Sequence, residues 1–141
     1  MRGLVHDENA FAVSLDGMCG HAGLFGDARS VLSLGCAVLE ALFHDTGFLS
    51  PDELAPLLVG RPGGSLLAGF DRKSGQTPSA GFRSGPRTFG HLGFTGTSVW
   101  IDPDSAFVGV LLTNRVHPTR EHVAIRQARP AVYDAIFEAM A

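Results

Sequence analysis

Residues 90–97 read Gly-His-Leu-Gly-Phe-Thr-Gly-Thr, and a strand-like stretch, Ser-Val-Trp-Ile-Asp-Pro (98–103), follows at once. Three glycines and two threonines around His91 make an open backbone path carrying one titratable side chain. This is a poor way to build a core. It is a good way to bring a substrate carbonyl against main-chain N–H groups, with a histidine beside it to donate a proton or hold a charge. The plain alternative for His91 is an edge-strand histidine in a Gly/Thr turn. Ser14, Ser65, Ser74 and Ser98 carry hydroxyls, yet none lies in Gly-x-Ser-x-Gly and no triad order is visible. His6, Asp7, Glu8 and His21 match no standard metal-ligand spacing and read as a polar network fixing a loop near the cleft. Nothing places two carboxylates across a sugar. His117 and His122, after the last strand, read as surface or capping residues.

The elements that must position His91 follow from local patterns. Residues 1–26 read as loop, punctuated by Gly3, Gly17, Gly20, Gly23 and Gly26. Asp27 offers a helix cap, and Val31, Leu34, Val38 and Leu42 recur at helical spacing, which predicts a helix over roughly 28–44. Ser50-Pro51-Asp52-Glu53 combines a cap, a proline at the first helical position and a capping box. That helix must be short, because Pro56 and then Gly60–Gly64 break it. Residues 65–71 are a candidate strand, 89–102 a second, and 106–112 a continuous apolar run that suits a strand buried on both faces. The turn at Asp102-Pro103-Asp104-Ser105 makes the last two an antiparallel hairpin, with Val110 expected inside and His91 accessible. Residues 120–140 are helical in pattern, with Pro130 expected to kink or restart them. The fold class is α+β: helices, an antiparallel sheet of two or three strands, and a closing helix, all in one domain over 1–141.

Bulk properties narrow the function. The chain has 141 residues, 45% of them hydrophobic, with a mean hydropathy of +0.15, a globular composition. A net charge of −3 argues against a nucleic-acid partner, and no apolar run reaches transmembrane length. Cys19 and Cys36 show no metal-type spacing and read as two buried thiols, with a disulfide between them as the alternative.

Four phrases, taken together and in order, resemble the C-terminal part of a serine β-lactamase-related hydrolase. This is the group of class C β-lactamases, D-alanyl-D-alanine carboxypeptidases and related esterases. The phrases are Val5-His6-Asp7-Glu8-Asn9-Ala10, Gly20-His21-Ala22-Gly23-Leu24-Phe25 before a capped helix, Gly90–Thr97, and Leu111-Leu112-Thr113-Asn114-Arg115-Val116-His117-Pro118. Gly90–Thr97 is similar to the family's third motif, Lys-Thr-Gly or His-x-Gly, on the strand that walls the active site. The resemblance implies that His91 meets the substrate carboxylate or leaving group. It also implies that Gly93 lets substrate lie close, and that the Phe94 N–H is an oxyanion donor. Alternation along one strand would point His91, Gly93 and the Thr95 hydroxyl together.

The family's nucleophile motif, Ser-x-x-Lys, is not in this sequence: Lys73 is the sole lysine, and Phe70 stands three before it. Tyr-x-Asn is missing too, since Tyr133, the one tyrosine, is followed by Asp-Ala. The expectation is therefore a C-terminal portion of a β-lactamase/transpeptidase-like fold, lacking the N-terminal half and inactive alone. No cofactor or metal is implied. The partner of the full-length protein would be a small-molecule or peptide acyl substrate. The alternatives are a non-catalytic ligand-binding module and a chain complemented by a separate N-terminal half, with self-association expected of the isolated chain. Localisation is open, although relatives of this kind are often periplasmic or secreted.

Overall fold

A computed structural model describes residues 3, 5–13, 19–20 and 22–141. The elements run α1 (Glu8–Val13), α2 (Ala28–Glu40), α3 (Pro51–Leu54), a 3-10 turn (Ala55–Leu58), β1 (Asp71–Arg72), β2 (Phe89–Leu92), β3 (Ser98–Asp102), β4 (Phe107–Leu111) and α4 (Ile125–Met140). The four strands form one antiparallel sheet in the order β1-β2-β3-β4, an α+β architecture as expected.

Capping explains where the helices start. Asp27 accepts from the Ser30 N–H at 2.8 Å and opens α2. Ser50 and Glu53 complete a reciprocal box around Pro51 at the head of α3. Asp7 does the same service for α1, accepting from the Ala10 N–H at 2.8 Å. The reading of 1–26 as loop missed this short helix, and its Ser14 and His21 lie outside the described residues.

Register sorts side chains onto two faces. Phe89 pairs with Ile101, and His91 with Val99, on the face toward α2. Gly35 lets that helix come close, since a Cβ there would stand 2.6 Å from Val108 Cγ1. Trp100, Gly109 and Phe107 look the other way, toward Tyr133 of α4. A Cβ on Gly109 would lie 2.6 Å from the Tyr133 ring, so glycine is what allows that ring to seat.

Several boundaries differ from the sequence reading. Residues 89–102 are not one strand but a hairpin, β2 and β3 joined by a turn over 93–97. Gly96 marks it, with φ +97°, a conformation open chiefly to glycine. Of residues 65–71 only Asp71 belongs to a strand, the two-residue β1 it forms with Arg72, and the rest add only the bridges Gly60↔Leu67 and Leu66↔Asp71, because the glycine-rich 60–64 segment folds back at once. β4 is buried at Phe107 and Gly109 but only half-buried at Val108, Val110 and Leu111, since α2 and α4 each cover part of it. α4 begins at Ile125 and continues through Pro130 without a restart; the N–H that proline lacks costs one bond near the helix start. Cys19 and Cys36 are free and half-buried.

Candidate functional site

β2 ends at His91 and Leu92, past the point where β1 stops pairing at Phe89 and Gly90. Among the described residues, no strand therefore pairs with the outer edge at His91. Its imidazole is exposed, and Nδ1 lies 2.9 Å from the Leu92 carbonyl. α2 packs over β3 and β4, with Gly35 close to Val99, the cross-strand partner of His91.

The turn beyond is tied down by its carbonyls. Gly93 O accepts from the Gly96 N–H and from Arg129 Nη2, both at 3.0 Å. Phe94 O accepts from Arg115 Nε at 2.7 Å. Thr95 O accepts from the Arg115 N–H at 2.9 Å and from Thr113 Oγ1 at 3.1 Å. Gly96 O accepts from Arg129 Nε at 3.1 Å, and Thr97 O from Arg129 Nη2 at 3.0 Å and the Gly93 N–H at 2.8 Å. Five consecutive carbonyls are thus held, mostly by two guanidiniums. Among the described residues, the N–H groups of Phe94 and Thr95 have no acceptor.

This corrects the expectation that strand alternation aligns His91, Gly93 and Thr95: the hairpin turns between them. Gly93 is already required by the turn, since a Cβ there would sit 2.0 Å from Thr97 Oγ1. Thr95 is placed by its carbonyl, anchored toward β4.

The Phe94 ring gathers three further segments. His6 stacks on it with centroids 5.5 Å apart, and the guanidinium carbons of Arg115 and Arg120 stand 4.6 and 4.9 Å from its centre. Glu8 pairs with Arg120, whose guanidinium holds the Glu8 carboxyl below its ordinary range. His6 and Glu8 thus serve contacts around the 93–97 turn, and Asp7 caps α1. Among the described residues, no cluster of His, Cys, Asp and Glu is placed to hold a metal ion. His117 and His122 are exposed.

Arg115 and Arg129 were not singled out by sequence. Arg129 is 7% exposed and meets carbonyls in place of a carboxylate; burial lowers its pKa from the usual guanidinium value. One signal was available: Arg129 precedes Tyr133 by four, on the same stripe as the inward Ile136 and Phe137.

Comparisons with known proteins agree on ancestry. The Beta-lactamase family model matches residues 2–133. Proteins of Salmonella agona and Salmonella gallinarum, each carrying the provisional name D-alanyl-D-alanine carboxypeptidase, are 34% identical over 119 residues, 82% of this chain and 27% of theirs. The crystal structure of a β-lactamase from Mycobacterium bovis is similar with a TM-score of 0.55 at 26% identity, over 71% of this chain and 40% of that one. The chain spans little more than a quarter of the length of the Salmonella relatives.

Proposed function

The chain belongs to the β-lactamase family, and from that membership we propose that residues 90–97 form one wall of a serine acyl-transfer cleft. The carrying observation is the exposed His91 at the end of β2, continued by a turn whose Phe94 N–H has no acceptor among the described residues. His91 donates a proton or a positive charge to the substrate carboxylate or leaving group. The Phe94 N–H stabilises the oxyanion, a contribution of roughly 3–4 kcal/mol for one such donor in a hydrolase. Gly93 and Thr95 border the bound acyl group. The substrate is a small-molecule or peptide acyl compound, an amide, lactam or ester.

The nucleophile and its base are supplied by polypeptide outside these residues. Lys73 does not stand in for the base, because its Nζ donates to the Phe82 and Ser84 carbonyls at 2.8 and 2.5 Å. The isolated chain is therefore inactive. The competing reading, a ligand-binding module, keeps the same wall without turnover.

Two measurements decide. The chain alone, treated with a fluorophosphonate or a β-lactam, should show no stoichiometric adduct by intact mass; a labelled serine would reject the proposal. The coding DNA upstream of Met1, read in all frames, should then yield a Ser-x-x-Lys segment. Joined to this chain, that segment should restore ester or lactam hydrolysis. Replacing His91 by Ala should lower the turnover by about 100-fold, the low end for a lost general acid or base. A joined protein indifferent to H91A would leave the wall without its assigned role.

A further inference from the structure

A trans peptide unit holds its C=O and the following N–H in one plane, pointing in opposite directions. Whatever fixes the Gly93 carbonyl therefore fixes the direction of the Phe94 N–H. The Gly93 carbonyl receives Arg129 Nη2 at 3.0 Å as well as the Gly96 N–H at 3.0 Å. The same guanidinium reaches Gly96 O and Thr97 O, on the closing side of the turn. Arg115 repeats the arrangement one unit later: its Nε on the Phe94 carbonyl fixes the direction of the Thr95 N–H.

We propose that Arg129, reaching from α4, is the positioning residue that aims and strengthens the Phe94 N–H as an anion-directed donor. The inference rests on reading that N–H as the oxyanion donor, and it adds how the donor is set. Two effects combine. The planar fork spans three carbonyls and leaves the turn one orientation. In addition, the guanidinium charge sits on the oxygen side of the Gly93–Phe94 peptide, so it polarises the unit and makes its N–H a better donor. A buried arginine surrounded by carbonyls is a costly way to close a hairpin, since a neutral side chain needs no desolvated charge. Field strength at the N–H is what a neutral residue would not supply.

Amide exchange and 15N spectra of this chain test the proposal without any catalytic readout. In the unsubstituted chain the Phe94 amide should exchange within about tenfold of an unstructured peptide, while Gly93 and Gly96 are protected at least about 100-fold. The Arg129 Nε–H should be visible and slow to exchange. In R129M the Gly96 protection should fall by about tenfold or more and the Phe94 amide proton should move upfield. R129K, which keeps the charge but not the fork, should hold part of the Phe94 shift while losing the Gly96 protection. The Tyr133 ring resonances report whether each variant keeps its fold. A Phe94 amide as protected as Gly96 in the unsubstituted chain would overturn the proposal, with no variant needed. So would a folded R129M with both amides unchanged. If these spectra hold but H91A leaves the joined protein unaffected, the cleft assignment fails and the positioning role stands.

Discussion

The two faces of the sheet are finished to different degrees. On the α4 face, Tyr133 is fully buried against Trp100 and Phe107, and its hydroxyl lies 2.9 Å from Ser98 Oγ. The buried Trp100 Nε1–H has no partner among the described residues, but the carboxylate of this face is well satisfied. Asp102, 1% exposed, accepts from the Gly85 N–H, the Asp104 N–H and the Ser105 hydroxyl. The α2 face also has a core, Val38, Ala41, Leu54, Phe89 and Ile101, but the layer outside it is apolar and open. Phe43, Phe48 and Val59 are 70, 65 and 61% exposed, and Leu34 on α2 itself is 50% exposed. Large apolar surface left out of a core marks a contact with something else. The α4 face closes a tight core around Tyr133, while the α2 layer leaves large phenylalanines exposed, and His91 lies on that second face.

The largest test of this contrast is Tyr133→Ala. Removing a fully buried aromatic should cost about 3–5 kcal/mol, seen as a shifted denaturant midpoint. Phe48→Ala, of the same chemistry but exposed, should stay within about 0.5 kcal/mol. Similar costs for both would mean that the two faces are equally closed.

Tyr133→Phe sharpens the claim that the α4 face is dry. Losing the hydroxyl should cost about 1 kcal/mol. Burial raises the Tyr133 pKa above its ordinary 10.0. The unfolded chain then deprotonates first, so the contribution is full below pH 10 and is lost as pH rises through the folded value. Alkaline melts should show that loss in the parent and not in Y133F. Parallel alkaline curves would place water at the phenol.

The α2 layer answers through association, with little change in stability. With four strands and exposed Phe43 and Phe48, the isolated chain should self-associate at micromolar concentration or melt broadly. Converting both phenylalanines to Ser should lower the light-scattering mass toward the monomer. A clean monomer with a sharp transition in the parent would favour the self-sufficient binding module.

What the sequence disclosed depended on range. Asp27, Ser50 and Glu53 act within three residues of their partners, so both helix starts were readable, as was the 102–105 hairpin turn. The 93–97 turn was not, because Gly-Phe-Thr-Gly also suits an extended wall; only the positive φ of Gly96 and the clash a Cβ would make with Thr113 Oγ1, at 2.2 Å, separate the two. Arg129 was hidden for another reason. Its partners are 32 to 36 residues away, and a charged residue on a helix reads as solvated unless its place on the buried stripe is weighed.

The smallest expected effect concerns α1, which belongs to neither face. It is pinned over the turn by Glu8 on Arg120, next to His6 on Phe94. Both charged partners are exposed, so Glu8→Gln should leave the global melting temperature nearly unchanged. Its effect should be local: faster proteolysis or amide exchange within Glu8–Val13. The pH dependence has a defined sign. Arg120 lowers the Glu8 pKa below its ordinary 4.5, so the tether is present above that value and is lost as pH falls through the folded one. Added salt should weaken it in the same direction. In E8Q, exchange in α1 should already be fast and indifferent to acid. If α1 in the parent stays protected through that acid range, or if E8Q matches the parent, the stacking of His6 on Phe94 is what holds the helix. α1 would then be fastened to the 93–97 turn by an aromatic contact alone.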